Sequence, residues 1–106
     1  MLVAFSIAPS GGGDASVGDA VAEAVRIVRA SGLPNETSSM FTTLEGEWDE
    51  VMAVIKDCVE ALGASAPRLS LVLKADIRPG FTGQLTAKVA RVEEALASPR
   101  AGNASA

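Results

Sequence analysis

Lys74, Asp76 and Arg78 occupy every second position near the end of the stretch RLSLVLKADIRPG, residues 68–80. The alternate positions hold Leu69, Leu71, Leu73, Ala75 and Ile77. Such alternation describes a strand with one apolar face and one charged face. Contact with water on an uncovered sheet would account for charge there. Val72, in the middle of the charged face, fits that account poorly. It points instead to a face covered by a subunit contact or forming part of a site.

A second group lies upstream in MFTTLEGEW, residues 40–48. The hydroxyls of Thr42 and Thr43 and the carboxylate of Glu45 can fix the polar groups of a small ligand. Phe41 or Trp48 can stack on a ring. The same residues also suit plainer work, with Glu45 beside the positive end of a following helix and Trp48 in the core. Glu45 and Asp76 are the carboxylates best placed for part-burial. They could form an acid/base couple, although their spacing does not require it and an ion pair with Lys74 or Arg78 is the commoner arrangement. Cys58, among apolar helical neighbours, reads as core filling. The SGGGD loop, residues 10–14, could offer backbone N–H groups to an anion or serve only as a flexible connection.

Whole classes of chemistry are missing from the 106 residues. There is no histidine, the commonest general base and metal ligand. A single cysteine rules out a thiolate zinc site within one chain and any internal disulfide, which fits a reducing cytosol. No GxGxxG, P-loop or GxSxG pattern occurs, so neither a metal nor a cofactor is expected. The net charge is −4 and no Lys/Arg cluster is present, which argues against nucleic acid. An acidic surface favours a cationic small molecule. The N-terminal MLVAFSIAPSGGGD lacks the basic start of a signal peptide and reads as a first strand. No apolar run approaches the roughly 20 residues that span a bilayer.

Elements that would position these residues follow from periodicity. Val3, Phe5 and Ile7 mark a strand over residues 2–8, ended by Pro9. Ser16, with Asp19 three residues on, resembles a helix cap. Val17, Val21, Val25 and Val28 make the stripe of a first helix that Gly32 stops. Two short strands, 35–40 and 42–45, follow. Trp48, Val51, Met52, Ile55, Val59 and Leu62 trace a second helix that Gly63 closes. After the strand at 68–77, Leu85, Lys88, Val89, Val92 and Leu96 describe a third amphipathic helix over about 82–97. One domain of residues 1–98 and a fraying tail of 99–106 are expected. Such a chain buries roughly two-thirds of its unfolded surface, enough for a core without staples.

The order β-α-β-β-α-β plus a C-terminal helix is the ferredoxin-like, α+β plan. Right-handed crossovers put the two main helices on one face of a four-stranded antiparallel sheet. Neither side of the first strand is properly wet, since Leu2, Ala4, Ser6 and Ala8 alternate with Val3, Phe5 and Ile7. The second sheet face therefore needs a cover that so short a chain lacks, and another subunit is the natural one.

Four segments, in order, resemble a family of small thiamine-binding proteins: FSIAPSG, SVGDAVAEAV, SSMFTTLEGEWDEVMAVI and PRLSLVLKADIRPG. The most distinctive piece is Met40, Thr42, Glu45 and Gly46, and the second is Arg68 followed by Lys74, Asp76 and Arg78. Phe41 stands where many relatives carry glycine, and the glycine-rich loop is longer than usual. The resemblance implies the ferredoxin-like fold, dimers and tetramers built through sheet surfaces, and non-catalytic binding of thiamine or its hydroxymethylpyrimidine portion. Thiamine carries a permanent thiazolium charge and an aminopyrimidine. Glu45 or Asp76 would accept from the amino group or face the cation, Ser6 and Thr42 would donate to ring nitrogen, and Phe5, Phe41 or Trp48 would stack. Two other readings stand beside this one. One is a small dimeric ferredoxin-like enzyme with Asp76 or Glu45 as base. The other is an interaction module whose charged strand only sets subunit register.

Overall fold

A computed structural model of the chain describes residues 1–10 and 17–98. Among these the order is β1 (Leu2–Ser10), α1 (Val17–Ala30), β2 (Asn35–Thr37), β3 (Thr42–Glu45), α2 (Trp48–Gly63), β4 (Arg68–Asp76) and α3 (Gln84–Ala97). The strands form one antiparallel sheet in the order β2-β3-β1-β4. The expected ferredoxin-like α+β plan with an added C-terminal helix is therefore the fold observed. The SGGGD loop beyond Ser10, the Ser16 cap and the 99–106 tail lie outside the described residues.

Register fixes the faces. Val3, Phe5 and Ile7 pair with Ala75, Leu73 and Leu71 on β4, and Val3 and Phe5 with Leu44 and Thr42 on β3. This row faces the helices. Val3, Phe5, Ile7 and Leu44 are buried there against Ala24 and Val28 of α1 and Val51, Val54, Ile55, Cys58 and Leu62 of α2. Alternation sends Leu2, Ala4, Ser6, Thr43, Val72, Lys74 and Asp76 to the opposite face. The Cys58 thiol donates weakly to the Ala24 carbonyl at 3.7 Å. Burial, then Asp57 and Glu23, pushes its pKa up to about 11, so it packs as a small apolar group.

Several boundaries depart from the expectation for local reasons. β1 continues through Pro9 to Ser10 because β3 pairs with it only over residues 2–5. Beyond Phe5 one side of the strand needs no N–H donor, so proline fits. β2 ends at Thr37 rather than 40, since Ser38 and Phe41 close a tight turn. The Ser38 N–H and hydroxyl donate to the Phe41 carbonyl at 2.9 and 3.0 Å, which leaves Ser39 and Met40 at the tip. α2 buries Val54 and Cys58 where the periodic reading placed Trp48; Trp48, its first residue, is 55% exposed. Phe5 is in the core with no face free for a ligand, which corrects its proposed stacking role.

α3 differs from the other helices because none of its residues is buried. Val89, Val92 and Leu96 are 56, 57 and 75% exposed, and the molecule is drawn out to 57 Å along its longest axis. A 14-residue helix without a packed face is only marginally stable in water. What anchors its first turns is the site described next.

Candidate ligand-binding site

Where β3 ends, Glu45 points to the open sheet face and meets the start of α3. Gly83, with φ 66°, precedes that helix and has no side chain to cap it. The Glu45 carboxylate does so from 39 residues away, accepting from the Gln84 N–H at 2.9 Å and the Leu85 N–H at 3.1 Å. Both groups are orphan donors of a helix start, where negative charge is favoured. Glu45 is 7% exposed. A turn later, Lys88 of α3 pairs with Asp76 of β4. Leu2 lies between the two carboxylates, paired with Glu45 on one side and Asp76 on the other.

Gly46 turns the chain from β3 into α2. A Cβ at this position would approach Val51 Cγ2 to 3.2 Å and Leu33 Cδ1 to 3.4 Å, so the bend favours glycine. The Met1 ammonium donates to the Gly46 carbonyl at 2.8 Å. α2 then starts with a capping box. The Glu47 N–H donates to Glu50 Oε1 at 3.0 Å, and the Glu47 side chain accepts from the Glu50 N–H.

These local solutions enclose a cleft of about 440 Å³ between the N-terminal ends of α2 and α3. Leu33, Pro34, Phe81 and Leu85 give it apolar walls, while Glu45, Glu47 and Glu50 line it with carboxylates. The volume suits a small organic molecule. Beside it a smaller cleft of about 190 Å³ contains Trp48, Ile77 and Arg78, and the two share Met1, Glu47 and Phe81. The Arg78 guanidinium lies 3.5 Å from the centroid of the Phe81 ring. A shallow groove of about 480 Å³ on α1 presents Arg26 and Arg29, the wrong charge for a cation.

Of the residues singled out in the sequence, Glu45 lines the larger cleft, and Trp48 and Arg78 line the smaller one. Asp76 and Arg78 flank a narrow recess beside Glu45. Thr43 and Lys74 lie on the same open face, one on either side of Ala4. Ser6 is on that face too, paired with Val72 further along β1. Thr42 is buried on the helix side, paired with Phe5. Phe41 is at the hairpin turn, at the end of β3 remote from Glu45. The sequence reading missed the parts contributed by Glu47, Phe81 and the start of α3. The E-x-x-E spacing of Glu47 and Glu50 ahead of an apolar run carried a signal for the capping box. Nothing local marks Phe81.

The hydrogen bond from Lys88, followed by its charge and those of Arg78 and Lys74, holds the Asp76 carboxyl below its ordinary value of 3.8. A depressed carboxyl contributes stability above its unfolded pKa and loses it as pH falls through the folded value. The pair is exposed, so the contribution is small. In a carboxyl NMR titration Asp76 is expected to titrate below 3.8. Lys88→Gln should return it toward that value, and an unmoved midpoint would mean that the pair does not form in solution.

No helix among the described residues is long and apolar enough to cross a membrane. No group of three or more Cys, Asp or Glu side chains among these residues could hold a metal ion. A UPF0045 protein of Mycobacterium bovis is 56% identical over 100 residues, covering 93% of this chain and 97% of its own length. A hypothetical protein of Methanocaldococcus jannascii has a similar structure, with a TM-score of 0.78 and 29% identity over 88% of this chain and 95% of that one. A Thermotoga maritima protein, provisionally assigned to thiamine biosynthesis or salvage, superposes with a TM-score of 0.71 at 25% identity, covering 85% of this chain and 97% of its own. The family model described as thiamine-binding protein matches residues 3–93. With nearly the whole chain matched, this protein belongs to the thiamine-binding protein family.

Proposed function

We propose that the protein binds thiamine, or its hydroxymethylpyrimidine portion, without transforming it, as a cytosolic homo-oligomer that carries, buffers or senses the vitamin. The observation that supports this most directly is the cleft between α2 and α3, apolar in its walls and lined by Glu45, Glu47 and Glu50. An apolar wall accommodates the rings, and the carboxylates favour the thiazolium charge. Phe81, shared with the smaller cleft, offers a ring for stacking or a cation–π contact.

Self-association is supported by what one copy leaves uncovered. The apolar stripe of α3 is exposed, and so is Val72, at 54%, on the open sheet face. β4 is an edge strand nine residues long, a template for pairing with another copy. An enzymatic role for Glu45 or Asp76 gains little support, since one caps α3 and the other pairs with Lys88.

Isothermal titration of the full chain with thiamine and with hydroxymethylpyrimidine tests the proposal. Saturable binding at a dissociation constant of about a micromolar, which corresponds to about −8 kcal/mol, is the expected result. No heat from either compound at concentrations far above micromolar would overturn it.

A further inference from the structure

Two polar attachments tie α3 to the sheet among the described residues, and both lie between Gln84 and Lys88. Gln84 and Leu85 donate their N–H groups to Glu45, and Lys88 pairs with Asp76. From Val89 to Ala97 the helix is exposed at every position. The connection from β4 turns at Gly80 and Gly83, with φ of 82° and 66°. Glycine enters and leaves such conformations readily, so the helix is joined to the sheet by a pliable link. The first turn is the costly part of any helix, and later residues add to it cheaply. Glu45 holds that turn in place. When the turn leaves Glu45, the exposed remainder has no nucleus and melts with it.

We infer that α3 is a strap that closes on the bound vitamin: occupancy of the cleft docks the first turn and thereby orders the whole helix, its far half included. The inference rests on the proposed thiamine site. Phe81, Thr82, Gly83, Leu85 and Thr86 form one wall of the cleft, so a molecule there meets that wall only when α3 is docked. A ligand that binds one of two states better shifts the population toward it. Both Glu45 oxygens accept from α3. A carboxylate has about four lone-pair sites, so Glu45 can hold the helix and a ligand donor together. An ordered α3 also presents Val89, Val92 and Leu96 as one stripe. Occupancy is thus passed from the cleft to the surface proposed to meet a second copy.

Hydrogen exchange in the full-length protein reads the coupling at the amides of Val89–Ala97. These residues take no part in lining the cleft, so contact with the ligand cannot protect them. Thiamine at a hundred times its Kd should slow their exchange by about tenfold or more, with about a hundredfold as the ceiling. A double variant, Ala90→Gly with Ala95→Gly, loosens the strap from outside the cleft. Both alanines are exposed on α3. Each glycine lowers helix stability by about fivefold. Thiamine should bind this variant about threefold or more weakly, because apparent affinity falls with the docked fraction. Thiamine that binds by calorimetry without slowing these amides would overturn the inference while the thiamine site stood. An unchanged affinity in the double variant, with its α3 amides exchanging faster, would equally overturn it, because the cleft would not need the strap. Failure of thiamine itself to bind would overturn the proposed function, and this inference with it.

Discussion

Glu45→Ala is expected to detach α3 and strongly weaken the proposed thiamine binding in one step. The carboxylate accepts from two backbone N–H groups of α3 and is buried beside them. Gly83 has no side chain that could take over. Loss of a helix cap costs about 0.5–2 kcal/mol, and buried donors left without partners cost about 1–3 kcal/mol each. The sheet–helix core of Val3, Phe5, Leu44, Val51 and Ile55 does not depend on Glu45, so the rest of the domain should remain folded. The cleft should not survive, since Phe81, Thr82, Gly83, Leu85 and Thr86 form one of its walls. The expected pattern is rapid hydrogen exchange confined to α3, a melting point lower by several degrees and thiamine affinity weaker by at least about thirtyfold. Glu45→Gln keeps one acceptor and should fall between alanine and wild type. Unchanged protection of the α3 amides in the alanine variant would remove the cap from its assigned role.

Val92→Asp combined with Leu96→Asp is expected to leave the protein monomeric where the proposed assembly of the wild type forms dimers or tetramers. Both side chains lie on the exposed apolar stripe with Val89. Full burial of one such side chain is worth about 1.5–3 kcal/mol, and a symmetric contact counts each residue twice. The gross gain is thus on the order of 10 kcal/mol for three residues from each copy, before association costs are met. Two aspartates per helix would remove most of it and add buried charge that has no counter-ion. Sedimentation velocity at micromolar concentration checks both halves of the claim. Wild type should sediment as a dimer or tetramer and the double variant as a monomer of 10.8 kDa, with the helical core intact by circular dichroism. A monomeric wild type would mean that α3 works without a second copy, and the case for assembly would collapse.

These two experiments probe different bonds of the same helix. The first removes its attachment to its own sheet, at the N-terminal end. The second would remove the cover that the proposed second copy gives its far end. Binding should respond strongly to the first. Its response to the second depends on how much of the docked α3 wall survives when the stripe is wet.

The sequence alone made the β-α-β-β-α-β-α order and the two faces of β4 legible. Both rest on periodicities of two and 3.6 that local side chains impose, with glycine or proline punctuating the elements. It also carried the likeness to thiamine-binding proteins, through Met40, Thr42, Glu45 and Gly46 and through Lys74, Asp76 and Arg78. Tertiary structure alone decided what those residues touch. Strand parity buried Thr42 beneath the helices and left Thr43 on the open face, because neighbouring strand residues point opposite ways. Trp48 matched the helical stripe, yet it begins α2 and is left over half exposed. Glu45 was visible as a carboxylate near a helix, but the natural inference from proximity was α2. Its partner is the start of α3, 39 residues further on, and periodicity carries no information about a contact closed across a whole helix and strand.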